Sequence, residues 1–315
     1  MVSIIIPAYN EAQMIKKTYM TISNIMNGHQ IDAEYVFVND GSKDDTWNEI
    51  DKLGKRHKEV RGVSFSKNFG KEAAILAGME YALGDCCVVI DADLQHPPEK
   101  IVEMYDLWKK GYDVVEGIKN NRGKQNPIHK LFAKIFYHFI SEATGIDMRQ
   151  ASDFKLLDRK VVDILLKMPE RQTFFRALSS WVGFKSTSIV YDVNERTEGK
   201  SKWSAKMLIK YAVNNISSFS SAPMQMVTIL GIIFLGFAIV IGIQTLVRYF
   251  MGTALDGFTT VIILQLLIGS VIMISLGIIG FYISKIYVEI KARPRYIVEN
   301  TINDAGDNKQ ECSNY

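Results

Sequence analysis

Long stretches of this 315-residue chain carry no charge at all. After Lys210 there is no Asp, Glu, Lys or Arg until Arg248, and there is none again between Asp256 and Lys285. Inside those gaps lie MVTILGIIFLGFAIVIGIQTLV (226–247) and FTTVIILQLLIGSVIMISLGIIGFYIS (258–284), each long enough to cross a hydrocarbon core of about 30 Å as a helix. A soluble surface helix keeps a polar face, so runs that are apolar on every side exclude it and predict two membrane spans. Cysteine is scarce as well. Cys86, Cys87 and Cys312 make no paired framework and no metal-ligand spacing, which argues against a disulfide scaffold or a zinc site and suits a reducing, cytoplasmic setting. Glycine is missing where a dinucleotide fold needs it: the first apolar run, VSIIIPA, leads into YNEA, and no Walker lysine pattern follows any strand. The formal net charge is only +3, with basic residues gathered around the apolar runs and no aromatic-basic ladder, so anionic lipid headgroups fit better than nucleic acid. The opening MVSIIIPAYNE is too brief and too soon acidic for a signal peptide.

Flanking charge sets the expected orientation. Lys200, Lys202, Lys206 and Lys210 precede the first span and Lys285, Lys291, Arg293 and Arg295 follow the second, whereas the connecting loop holds Arg248 against Asp256. Both large ends are therefore expected in the cytoplasm. Before the spans, apolar runs of strand length alternate with helical runs: VSIIIPA, EAQMIKKTYMTISNIM, AEYVFVND, VRGVSFS, EAAILAGMEYAL and CCVVIDAD. Such a series predicts a parallel sheet flanked by helices. Further on, Ser152 and Asp153 precede what reads as another helical run, and Met207, Leu208, Tyr211, Ala212 and Ile216 form the apolar side of a helix lying on the membrane surface.

Ligands of parallel sheets bind at the carboxyl ends of the strands. One predicted strand ends in Asp91 and Asp93, which an extended backbone turns to the same face. Two like charges there call for a compensating cation, such as a hard divalent ion held with phosphate oxygens; a solvated strand end with a helix cap is the plainer alternative. Asp40 ends an earlier strand, Gly41 permits a tight turn, and Ser42, Asp44 or Asp45 can cap a helix starting near Thr46. His96, followed by Pro97 and Pro98, reads as a loop-shaping or phosphate-contacting residue rather than a third metal ligand.

In chain order, SIIIPAYNE, VNDGSKDDT, FSKNFGKEAAILAGMEYA, DADLQHPPE, ASDFKLLDR and RTEGKSKWS, with two terminal spans, resemble the family 2 glycosyltransferases that act on polyprenyl phosphates, the group of dolichyl-phosphate mannose synthase and bacterial undecaprenyl-phosphate glucosyltransferases. The resemblance runs to about Pro294. It implies an α/β GT-A nucleotide-sugar-binding domain with a parallel-rich sheet, then a juxtamembrane amphipathic helix and two transmembrane helices. The expected boundaries are 1–205 for the catalytic domain, 206–224 for the juxtamembrane segment, 225–295 for the membrane domain and 296–315 for a polar cytoplasmic tail. It further implies inverting transfer of one hexose to undecaprenyl or a related polyprenyl phosphate, with UDP-glucose as first donor and UDP-N-acetylglucosamine or GDP-mannose as alternatives. Carried over by motif, Pro7, Tyr9, Glu11 and Asp40 bind nucleotide, Asp91 positions the sugar-nucleotide region, and Asp91, Asp93 and Gln95 support Mg²⁺ or Mn²⁺. The family's usual paired arginines are replaced here by EGIKNNR, which leaves Lys119 and Arg122 as alternative pyrophosphate contacts.

The acceptor simplifies the chemistry. A phosphate monoester has its second pKa near 6 and is largely anionic at neutral pH, so positioning and charge neutralisation matter more than deprotonation. Arg196 and Lys202, in the loop YDVNERTEGKSKWS, are candidates to hold that phosphate. Asp153 either orients the acceptor through a basic neighbour or accepts a proton. Gly231, Gly236, Gly242, Gly269, Gly277 and Gly280 permit close helix packing and hence self-association. Two helices offer no evident path for a sugar, so movement of the product across the membrane is expected to need a separate flippase or a larger assembly. A processive polysaccharide synthase and a non-catalytic membrane scaffold are the competing classes; the first lacks its Q..RW motif here and the second would not keep the acidic strand ends.

Overall fold

The computed structural model describes residues 1–120, 152–170, 175–192, 222–252 and 257–304. It divides into two compact units, Met1–Trp203 with Arg293–Tyr315, and Ser204–Ala292. The first unit opens with the expected alternation: β1 (Val2–Ala8), α1 (Ala12–Gly28), β2 (Ala33–Asn39), α2 (Thr46–Arg56), β3 (Val60–Phe65), α3 (Lys71–Tyr81) and β4 (Cys86–Val89). These strands are buried almost throughout, as strands covered on both faces must be. Helix α1 turns Met14, Ile15, Thr18, Tyr19, Ile22, Ser23 and Met26 inward, a stripe at three- and four-residue spacing. β1 runs parallel to β2 and to β4, placing Ile4 between Tyr35 and Val88.

Beyond β4 the pattern changes. After α4 (Lys100–Lys109) and β5 (Val114–Lys119) come β6 (Lys155–Asp158), α5 (Arg159–Lys167), α6 (Phe175–Trp181) and β7 (Ser186–Tyr191), and far downstream β8 (Val298–Ile302). The sheet order is β7-β5-β6-β4-β1-β2-β3-β8. β6 is antiparallel to both β4 and β5, and β8 is antiparallel to β3. The result is a mixed sheet, less parallel than the βα alternation alone predicts. Its departure comes from KLLD, a strand where a helical run was expected: Leu156 and Leu157 point to opposite faces, both are fully buried, and both sheet faces are covered there.

The end of the chain also differs from a plain polar tail. Val298–Ile302 adds a strand to the free edge of β3, and an edge covered in this way no longer offers unpaired backbone to other chains. The Ile302 side chain fills the space left by the absent side chains of Gly54 and Gly62. Asn303 donates to the carbonyls of Gly54 and Val60, each at 2.8 Å. Tyr296 stacks on Phe65 with ring centroids 4.9 Å apart and donates its hydroxyl to Glu80.

The second unit contains α7 (Ala222–Phe250) and α8 (Phe258–Ile290). Within α8, Leu267–Ile290 is 24 residues long with mean hydropathy 2.1 and none of its most apolar window buried, and at 1.5 Å per residue it reaches about 36 Å. It is the one helix among the described residues long and apolar enough to cross a membrane; the apolar part of α7, Gly231–Gln244, is shorter. Of the two expected spans, the second thus overlaps a helix long and apolar enough to cross a membrane, and a pair of spans is not shown.

Candidate active site

At the carboxyl ends of the first strands, two loops are stitched to each other by hydrogen bonds. Asn10, in the left-handed region at φ 55°, donates its N–H to Ser42 Oγ (3.0 Å) and accepts at Oδ1 from the Lys43 N–H (2.8 Å). The Glu11 N–H donates to Thr46 Oγ1 at 2.9 Å. Asp45 holds the cap position of α2 without a side-chain cap hydrogen bond, and Asp44 before it accepts from the Thr46 N–H (3.1 Å) and from the Ala12 N–H (3.2 Å). Pro7 stands in register with Val38. Two residues on, Tyr9 is 40% exposed, and Glu11 is partly buried.

Asp40 is buried, and its carboxylate faces protein. It accepts from the Phe69 N–H (2.7 Å), the Gly70 N–H (3.0 and 3.1 Å) and Asn68 Nδ2 (2.9 Å). A carboxylate has about four lone-pair sites, so these bonds occupy most of its capacity, and its evident task in this state is to shape the 66–70 loop. Burial raises its pKa, while the N–H groups of Phe69 and Gly70 pull the other way. Gly41 is required by contact as well as conformation: at φ 62° a Cβ would stand 2.3 Å from the Lys67 carbonyl carbon.

Asp91 and Asp93 do not lie on an extended strand. β4 stops at Val89 and residues 91–95 form a turn, with Leu94 at φ 56°, so strand alternation does not set their directions. The turn is pinned from α1, where Thr18 Oγ1 donates to the Ala92 carbonyl at 2.6 Å. Asp93 folds back to accept from the Gln95 N–H at 3.1 Å. Asp91 turns toward α3, where Lys71 Nζ stands 2.6 Å from its Oδ1.

Lys71 is the centre of the cluster. The same ammonium is 2.8 Å from Asp153 Oδ2, and Arg176 forks onto Asp153 through Nε (2.6 Å) and a terminal nitrogen (2.8 Å). Burial alone would raise the Asp153 pKa, but Lys71 and Arg176 hold it far below the ordinary carboxylate range. Asp91 is likewise lowered, with burial opposed by Lys71 and His96. Beside them Glu72 accepts from the Phe175 N–H at 2.8 Å; burial first, and the Asp153 charge second, push its carboxyl up to about 7. Lys119, at the end of β5, has its pKa lowered by desolvation, within electrostatic reach of Asp91, Arg176, Lys71 and Asp93.

A second lysine fixes Arg176 from behind. Lys155 is completely buried in β6, 3.1 Å from Glu116 Oε1, and donates to Ser179 Oγ (2.9 Å) and to the Arg176 carbonyl (3.3 Å). Glu116 in turn accepts from the Ser152 N–H at 2.9 Å. A buried ammonium is tolerated only with such compensation, and here that compensation ties β5, β6 and α6 together around Asp153. His96 is buried against Phe154, ring centroids 5.1 Å apart, and against the edge of Tyr191. This packing matches a loop-shaping residue.

The structure thus gathers Asp91, Asp93, Gln95, Lys119 and Asp153 at one end of the sheet, and Pro7, Tyr9, Glu11 and Asp40 around the neighbouring loops. Arg122, Arg196, Lys202 and most of the juxtamembrane segment, 206–221, lie outside the described residues. Sequence reasoning missed Lys71, Glu72, Lys155 and Arg176. One signal was available for the first: a cation opening a helix opposes the helix dipole, so Lys71 at the first position of α3 needed carboxylates from elsewhere. Nothing local marked Arg176.

The donor set suits a hard cation of modest protein coordination. Asp91, Asp93 and Gln95 offer oxygens within one turn, and no group of three or more His, Cys, Asp or Glu side chains is poised around an ion among the described residues. These three would serve an ion held by one or two carboxylates and completed by substrate phosphates and water.

Comparison with known proteins shows the family. The family described as Glycosyl transferase family 2 matches residues 3–163. "Uncharacterized glycosyltransferase YkcC" of Bacillus subtilis (strain 168) is 39% identical over 301 residues, covering 95% of this chain and 93% of that protein. "Bactoprenol glucosyl transferase" of Shigella phage SfV is 34% identical over 304 residues, 95% of this chain and 98% of that protein. "Prophage bactoprenol glucosyl transferase homolog" of Escherichia coli (strain K12) is 33% identical over 300 residues, with 95% and 98% covered.

Proposed function

The chain belongs to glycosyl transferase family 2, and from that premise we propose that it transfers one glucose from UDP-glucose to a polyprenyl phosphate, with inversion at the anomeric carbon. The observation that carries the reading is similarity along 95% of the chain to proteins named bactoprenol glucosyl transferase. The acid-base cluster at the sheet end adds a chemical reason. Departure of a nucleoside diphosphate and approach of a phosphate bring several negative charges together, and Lys71, Arg176 and Lys119 converge there.

In this reading Tyr9 and Glu11 meet the base and ribose, and Asp40 keeps the 66–70 loop in shape for them. Asp91, Asp93 and Gln95 would hold Mg²⁺ or Mn²⁺, which when bound neutralises the departing diphosphate. Lys119 reaches the pyrophosphate, with Arg122 as the alternative. Asp153 serves as the anchor of Lys71 and Arg176 rather than as a proton acceptor, because a carboxylate stabilised by two cations is a weak base. The acceptor phosphate needs no base of its own. Arg196 and Lys202 receive it. Two spans, over 226–247 and 258–284, keep the catalytic unit at the cytoplasmic face where the lipid phosphate emerges, and a separate protein moves the product onward.

The test is direct. Purified protein is incubated with undecaprenyl phosphate, Mg²⁺ or Mn²⁺ and, separately, UDP-glucose, UDP-N-acetylglucosamine and GDP-mannose, and the lipid product is identified by mass and by its anomeric coupling. One glucose per lipid with inverted configuration is expected. A polymer, or no glycolipid from any donor, overturns the reading.

A further inference from the structure

Resting on the metal-assisted reading above, we propose that Lys71 is an exchangeable counter-ion: its ammonium occupies Asp91 in the ligand-free protein, gives up that carboxylate to the divalent cation, and turns to the donor's phosphates. The two carboxylates it bridges are not equivalent. Asp153 has 7% side-chain exposure and keeps the Arg176 fork if Lys71 leaves. Asp91 has 30% side-chain exposure, and the ion pair the described residues give it is Lys71. Removing Lys71 from Asp91 therefore leaves a carboxylate in need of a new cation, and leaves Asp153 satisfied.

The lysine is built to move. Its side chain is 41% exposed and carries a compact charge on four flexible carbons. It opens α3 directly after Gly70, which sits at φ 100°. The helix dipole opposes a cation at that end, so the carboxylates, not the helix, determine where the ammonium rests. A divalent cation on Asp91 would face Lys71 across a distance at which like charges repel strongly, so the arrival of one disfavours the other. Once displaced, the ammonium has the incoming phosphates as its nearest new source of negative charge.

Mn²⁺ binding to the full-length protein, followed by electron paramagnetic resonance of the free ion with and without saturating UDP, tests this. Lys71→Met removes the competitor, so Mn²⁺ alone should bind about tenfold more tightly than to wild type, while the gain in Mn²⁺ affinity supplied by UDP shrinks. Lys71→Arg should move Mn²⁺ affinity the other way, because a guanidinium forks across both carboxylates and yields Asp91 less readily. Thermal unfolding shows which variants are folded, and the opposite signs let either variant decide. Unchanged or weaker Mn²⁺ binding in folded Lys71→Met, or unchanged or tighter binding in Lys71→Arg, overturns the exchange and leaves a fixed structural ion pair. Wild-type protein that binds no Mn²⁺ with or without UDP defeats the metal reading itself, a different result from failure of the exchange.

Discussion

The two halves of the sheet end are held by different forces. Around β1 and β2, Asn10, Ser42, Asp44 and Asp40 engage backbone N–H groups and hydroxyls, so that the Asp40 and Asp44 carboxylates accept from N–H and O–H donors. Around β4, β5 and β6, Asp91, Asp153, Glu116, Lys71, Lys155 and Arg176 compensate one another as ions. Oriented N–H groups belong to the backbone and cannot leave without unfolding it, whereas an ion pair can exchange partners. The first region therefore resembles a preset cradle, and the second a set of ion pairs whose strength depends on the charge of each partner.

Breaking the ionic half should have the largest effect. Asp153→Asn leaves Arg176 without its fork partner and Lys71 without one of its two carboxylates. Fully buried pairs lose about 3–5 kcal/mol on removal of one partner; partial exposure of both cations reduces this to about 2–3 kcal/mol. Chemical denaturation should show that loss, and transfer should fall to a small fraction of wild type. Stability near wild type would mean that the cluster is held by packing instead.

A smaller loss is expected in the neutral half. Asp40→Asn keeps the shape but replaces one accepting oxygen with a donor facing N–H groups, at a cost of about 1–3 kcal/mol. UDP titration should show weakened binding with the Mn²⁺ response preserved. If UDP affinity is untouched, the 66–70 loop does not shape the nucleotide site.

The subtlest distinction is in pH. Glu72 ordinarily titrates at 4.5 and is pushed up to about 7, so folding favours its protonated form. Its stabilising contribution is whole below about 4.5 and is lost as pH rises through about 7. Asp153, held low, behaves oppositely: its contribution is present above the usual carboxylate range and is lost as pH falls beneath it. Thermal unfolding of Glu72→Gln across about pH 5 to 8 should therefore give a flatter profile than wild type. An unchanged slope would assign that pH dependence to other groups.

How much of this was legible beforehand varied with how local the cause was. The strands from Val2 to Val89 and the helices between them could be placed because their apolar periodicity is carried by adjacent residues. KLLD and the β8 strand VENTI could not, since four or five residues of mixed polarity become strands only when a neighbouring edge is available. At the site, Asp40, Asp91, Asp93 and Asp153 stood out as acidic residues in a recognisable order, but their partners did not. The partners of Asp40, which are Asn68, Phe69 and Gly70, lie about 30 positions away and carry no mark in the local sequence. The direction of Asp91 could not follow from alternation because the strand ends before it.

The sequence by itself determined the apolar runs, the alternating first half of the sheet and the family to which the chain belongs, because hydrophobic periodicity and contiguous motifs are written in neighbouring residues. Only the tertiary structure decided that Lys71 meets Asp153 across 82 positions and that Glu72 holds the Phe175 N–H across 103. A charge can be buried only where an opposite charge is delivered to it, and which partner arrives depends on strand order and direction: the antiparallel insertion of β6 brings Asp153 and Lys155 beside β4, α3 and α6.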